Sequence, residues 1–183
     1  ITEMIVKNQY KIKEIYLSGG EPFYIPQNVE LLKKISNKDV PVRINTNMHC
    51  NNNNKLFKIL KTFNNVNLTM SVDAVNQKFN YIRSGADWEV FKENLKYIQD
   101  NTNFTIRINS IFSVMNAIEL CSTVEYFYHE QCIKDITINV LYRPNELGAR
   151  NYPPQKKQAI VDQIEKLITQ IAPEDVNLIG NLK

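Results

Sequence analysis

Residues 18–22 read Ser-Gly-Gly-Glu-Pro and follow the apolar-rich run Lys11-Ile-Lys-Glu-Ile-Tyr-Leu17. A strand that ends in Gly19, Gly20, Glu21 and Pro22 makes a tight turn carrying one fixed carboxylate. Such a turn brings backbone N–H and C=O groups close to another molecule. Further along, other apolar runs end in polar groups: Asn45 and Asn47, then Ser71 and Asp73, then Arg107 and Asn109. Donors and acceptors gathered at strand ends suit the binding of a polar cofactor. The two histidines, His49 and His129, sit in no ligand or triad motif, which argues against a metal hydrolase or a nucleophile triad.

The elements that would position these residues alternate. The pattern predicts the end of a helix near 1–10, then strands over 12–17, 40–46, 66–72, 105–110 and 136–141. Helices are expected over 26–36, 54–63, 88–99, 116–129 and 155–171, the last stopped by Pro173. Trp88, Phe91, Leu95 and Ile98 are spaced to share one helix face, and Asp87 is placed to cap it. Residues 74–87 and 144–154 read as connections. The run Asn51–Asn54 marks a loop or a helix start. Five strand–helix alternations imply parallel strands with right-handed crossovers in a single α/β domain spanning 1–183.

The strand faces bear on the architecture. Ile15 and Leu17 oppose Glu14, Tyr16 and Ser18, while Val42 and Ile44 oppose Arg43, Asn45 and Asn47. Leu68, Met70 and Val72 oppose Asn67, Thr69, Ser71 and Asp73. Ile106 and Ile108 oppose Arg107 and Asn109, and Ile136, Ile138 and Val140 oppose Thr137 and Asn139. Parallel strands covered on both faces read as continuous apolar runs, and these do not. Burying the polar set without partners would cost about 1–3 kcal/mol for each neutral group. A partial (β/α) barrel with a wet concave face accommodates them, so the polar residues are expected to converge on one hollow. A flat doubly wound sheet does not, and an α+β layer with one solvated sheet face is the plain alternative.

Composition sets the outer bounds. Apolar residues at 43% and charged residues at 22% fit a globular domain able to bury a core. A net charge of +3, with no basic stripe, gives no nucleic-acid signal. No apolar run is long enough to span a membrane, and the first residues do not form a signal peptide. Cys50, Cys121 and Cys132 are odd in number and widely spaced. They read as free thiols in a reducing compartment, so a cytoplasmic location is expected.

Five stretches, taken together, resemble a known family. They are Gly19-Gly20-Glu21-Pro22, then Ile44-Asn-Thr-Asn47, then Ser71-Val-Asp73, and the later pair Arg83–Leu95 and Ile108–Asn116. In order, at successive strand ends over about residues 10–145, they are similar to the radical S-adenosylmethionine (SAM) enzymes, most of all the activating-enzyme and maturase-like branch. The resemblance implies a partial or full (β/α) barrel. It implies a [4Fe–4S] cluster held by three cysteines of a C-x3-C-x2-C loop, with SAM on the open iron. It also implies reductive cleavage of SAM to a 5′-deoxyadenosyl radical that abstracts hydrogen from a protein, peptide or small-molecule substrate, with an electron donor as partner. By the same resemblance, Gly19, Gly20, Glu21 and Pro22 meet the methionyl end of SAM. Ser71 and Asp73 reach the ribose, Asn45 and Asn47 line the mouth, Arg107 or Asn109 touches the carboxylate or adenine region, and Asn116 shapes the adenine side.

The chain departs from the family in one respect. It contains no C-x3-C-x2-C, and only 18 residues, none of them cysteine, precede Gly19. The expectation is a fragment that lacks the first strand and cluster loop, binds no cluster and does not cleave SAM by itself. A noncatalytic binding protein on the same scaffold is one alternative. A barrel hydrolase using Glu21 and Asp73 as a carboxylate pair is another. After the fifth strand, Arg143, Glu146 and Arg150 are placed either to read a charged substrate or to serve as surface charges.

Overall fold

The structure, a computed structural model, describes residues 2–50 and 53–182. Five parallel strands run in the order β1-β2-β3-β4-β5 in an open α/β sheet, matching a partial (β/α) barrel. They are β1 (Ile15–Leu17), β2 (Val42–Thr46), β3 (Val66–Ser71), β4 (Thr105–Phe112) and β5 (Ile136–Val140). The chain divides into two compact units. The first comprises Ile1–Met70 with Glu89–Ile106, and the second Ser71–Trp88 with Arg107–Lys183.

In the first unit, the period-2 alternation sorts side chains as the sequence predicts. Ile15, Leu17, Val42, Ile44, Val66, Leu68 and Met70 are buried, while Tyr16, Arg43, Asn45, Asn67 and Thr69 lie on the less buried face. The register aligns Tyr16 with Arg43 and Arg43 with Asn67. Helix α1 (Thr2–Lys7) buries no residue and touches α2 (Pro26–Lys34), whereas α2, α3 (Lys55–Leu60) and most of α4 (Trp88–Asn101) supply the apolar side chains that pack with the buried face. Leu32, Leu56, Phe57, Leu60, Phe91, Leu95 and Ile98 are all buried. Asn54 caps α3 by accepting the Leu56 N–H at 2.8 Å. Asn51 and Asn52 lie outside the described residues.

In the second unit, Ile108 and Ser110 of β4 and Ile136 and Ile138 of β5 are buried, whereas Arg107, Asn139 and Val140 are exposed. The segment 74–87, expected to be a connection, contains a helix over Asn76–Ile82 whose Phe79 is buried. Its single apolar turn is too short for periodicity to reveal. The helix expected from 116 begins later, at Leu120–Glu125, and continues as a π-helical turn over Tyr126–Glu130. The delay has a local cause, because Asn116 turns its side chain back onto the preceding backbone. After the long helix Pro154–Gln170, a further helix, Val176–Leu182, buries Leu178 and Leu182. No described helix is long and apolar enough to cross a membrane.

Leu68, wholly buried in β3, tests this packing. Leu68→Ala should cost about 2–5 kcal/mol, whereas Thr69→Ala on the opposite face should cost well under half of that. Urea-unfolding midpoints measure both.

Candidate functional site

In the first unit, β1 exits into a turn where Gly19 and Gly20 have φ of 89° and 56°. These left-handed values favour glycine. Nothing lies within 4 Å of the point to which either Cβ would project, so open space faces both residues. Pro22 then starts a 3-10 turn over Pro22–Tyr24. Between them, Glu21 is held on several sides. Its Oε1 accepts from the Thr46 hydroxyl at 2.7 Å and from the Phe23 N–H at 3.3 Å, and its Oε2 accepts from the Asn47 N–H at 2.9 Å. Glu21 thus fixes its own turn and binds the exit of β2 to it.

The chain leaving β2 has its backbone groups taken by side chains, residue by residue. The Thr46 oxygen accepts from the Met48 N–H and the Asn47 Oδ1 from the His49 N–H, each at 2.9 Å. The Tyr24 hydroxyl donates to the His49 carbonyl. The buried Asn94 amide donates to the Met48 and Cys50 carbonyls at 2.8 and 2.6 Å. Met48 takes a left-handed φ of 57° within this frame. With its oxygen committed to the loop, Asn47 can offer a ligand its N–H donors. On the sheet face, Asn45 donates to the Tyr16 hydroxyl at 2.7 Å, and Arg43 lies over the Tyr16 ring while pairing with Glu14.

In the second unit, Asp73 follows β3 and is 8% exposed. One carboxylate oxygen pairs with Arg83 at 2.8 Å, and the other accepts the Ile111 N–H at 2.8 Å. Asn116 is wholly buried. Its amide donates to the carbonyls of Asp73 and Ile111 at 2.6 and 2.9 Å, and its oxygen accepts from the Ser113 N–H and hydroxyl. One side chain therefore joins the exits of β3 and β4. Ser71 is half-buried at the end of β3, and Asn109 accepts from Asn139 at 2.7 Å. Arg107 differs from the others. It is fixed by Asp135 at 2.6–2.7 Å near the start of β4, four residues before the Ile111 N–H that binds Asp73, and that hydrogen bond raises its pKa. Arg150, on the loop after β5, is spent on Asn145.

Sequence reasoning did not single out Thr46, Tyr24, Asn94, Arg83 or Ser113. Thr46 and Arg83 lie inside the motifs that drew attention, but their partners are 25 and 10 residues away and only folding reveals them.

A radical SAM superfamily domain matches residues 1–115. This chain belongs to the radical SAM superfamily. No curated protein matches its sequence. Solved structures share its fold. Native anSMEcpe with bound AdoMet and a Cp18Cys peptide has a TM-score of 0.63 at 18% identity, covering 98% of this chain and 53% of that one. SuiB of Streptococcus suis, bound to precursor peptide SuiA, scores 0.61 at 18% identity, with 92% and 38% covered. TYW1 with a lysine–pyruvate adduct scores 0.54 at 14% identity, with 92% and 57% covered. The radical SAM chain thus spans about half the length of the anSMEcpe structure.

Family membership implies SAM and a [4Fe–4S] cluster. The turn at Gly19–Gly20 fits SAM: it offers open space and backbone groups on a rigid support. The cysteines do not fit the cluster. Cys50 belongs to the first unit, Cys121 and Cys132 to the second, and among the described residues no three His, Cys, Asp or Glu side chains could hold a metal ion. Burial, with Glu21 adding to it, pushes the Cys50 thiol up to about 12, and burial with Glu125 pushes Cys121 up to about 11. Burial thus disfavours the thiolate form of both.

Two outcomes follow for the thiols. At about pH 8, iodoacetamide should label exposed Cys132 quickly and leave Cys50 and Cys121 largely unmodified in the folded protein; mass spectrometry of the digest reads this. The folded state also retains the Cys50 proton to higher pH than the unfolded chain does. Its contribution to stability is intact below the ordinary value of 9.0 and is lost as pH rises toward 12. Urea midpoints should therefore fall across that window, and less so in Cys50→Ala.

Proposed function

We propose that this chain is the SAM-facing part of a larger radical SAM enzyme whose substrate is a protein or peptide. Gly19, Gly20, Glu21 and Pro22 take the methionyl end of SAM, with Asn45 and Asn47 beside them. Ser71 and Asp73 take the ribose hydroxyls, and Asn109 and Asn116 serve the adenine side. The observation that carries this reading is the Gly19–Gly20 turn, with two successive left-handed residues, open space in front and a carboxylate clamp behind. Such a turn lets backbone carbonyls accept from an ammonium group at close range.

Asp73 suits the ribose despite its two existing bonds, because a carboxylate has about four acceptor sites and only two are used. Asn116 has no donor or acceptor to spare and acts through the backbone it fixes. Arg107, committed to Asp135, takes no part in this assignment. Glu21 and Asp73 each brace their own strand exit, which leaves the carboxylate-pair hydrolase without support. With SAM and a reduced cluster in place, the whole protein would cleave SAM and abstract hydrogen from its substrate. The cluster cysteines would come from outside these 183 residues, so this chain alone does not cleave SAM. A peptide substrate is favoured because anSMEcpe and SuiB were solved with peptides bound.

Titration calorimetry with SAM tests this reading. The chain should bind SAM, and Gly20→Ala and Asp73→Asn should each weaken binding by about tenfold or more with unchanged circular dichroism. A wild-type chain that binds no SAM would point instead to a bare scaffold.

A further inference from the structure

We propose that Asn94 is a positioning residue that latches the Asn47–Cys50 loop in its ligand-ready form. This inference rests on the reading of that loop as part of the SAM site. Asn94 projects from the helix Trp88–Asn101 and is 4% exposed. Its two amide N–H groups go to two carbonyls of one loop, Met48 at 2.8 Å and Cys50 at 2.6 Å. Those carbonyls flank the His49 carbonyl that Tyr24 holds. On the other side of the same loop, Glu21 and the side chains of Thr46 and Asn47 take the N–H groups of residues 47, 48 and 49.

The loop is thus gripped by its donors from one set of side chains and by its acceptors from another. The two grips are not equivalent. The donor side is built from residues of the turn and of the loop itself, so it can form locally once β1 and β2 pair. The acceptor side depends on a residue 46 positions after Met48. Without the Asn94 donors, two carbonyls in a buried setting lose their partners, and the left-handed Met48 has less to hold it. The Asn47 amide N–H groups, the part of the loop free to meet a ligand, then lose their fixed aim. The chemistry demands an amide. An aspartate at this position would have the same shape but only acceptor oxygens facing two carbonyl oxygens.

Cys50 reports on the latch directly, because its carbonyl is one of the two acceptors and its thiol is buried. Cys121, buried in the other unit, is the internal control. The experiment compares wild type, Asn94→Asp and Asn94→Leu by iodoacetamide labelling of each thiol and by SAM titration. Both variants should raise the Cys50 labelling rate by about tenfold and weaken SAM binding by a similar factor, with Cys121 labelling unchanged. A general loss of structure would accelerate both thiols together and would overturn the specific role, as would a Cys50 rate equal to wild type. SAM affinity unchanged in variants whose Cys50 is released would overturn the link between latch and ligand. Failure of the wild type to bind SAM, with Cys50 still released in the variants, would strike the cofactor reading and not the latch.

Discussion

A parallel strand that ends inside a protein must hand its last N–H and C=O groups to some partner, and in this chain the partners are side chains. Leaving even one such buried group unpaired costs about 1–3 kcal/mol. At the exit of β2 the groups go to Glu21, Thr46, Asn47, Tyr24 and Asn94. At the exits of β3 and β4 they go to Asp73 and Asn116. The remaining features depend on this. The left-handed Met48 is tolerated because its neighbours are held, and the late start of the helix at Leu120 follows from Asn116 turning back.

The same bonds decide what each polar residue has left for a ligand. Asn47 has given its oxygen to His49 and retains its donors. Asp73 has given one site on each oxygen and retains acceptors. Asn116 has given everything. Glu21 carries three bonds and holds the glycine turn rigid. In the radical SAM superfamily the difficult chemistry belongs to the cofactors, and the protein contributes placement. Preorganised backbone at strand exits is a direct way to supply it, since a ligand then meets groups whose ordering is already complete.

Much of this was legible in the sequence, because alternation of period 2 is a strong signal. Val42, Ile44, Leu68 and Met70 could only be the buried face, and the glycine pair could only be a tight turn. Short elements were not legible. The helix Asn76–Ile82 buries one large residue, Phe79, and the helix Val176–Leu182 buries two leucines, too few for a period to show. Partnerships over long separations were also hidden. Nothing local to Asn94 announces that its amide closes a loop 44–46 residues earlier. Arg107 misled for a related reason: its polar position on β4 resembled that of Asn109, while Asp135, adjoining the next strand, had a prior claim on it.

Amide hydrogen exchange at Asn47, Met48, His49, Ile111 and Ser113 tests the bracing of the strand exits most directly. Each of these N–H groups donates to a side-chain oxygen. Side-chain bracing predicts protection close to that of the amides within β2 and β4. Exchange at the rate of an open loop would contradict it.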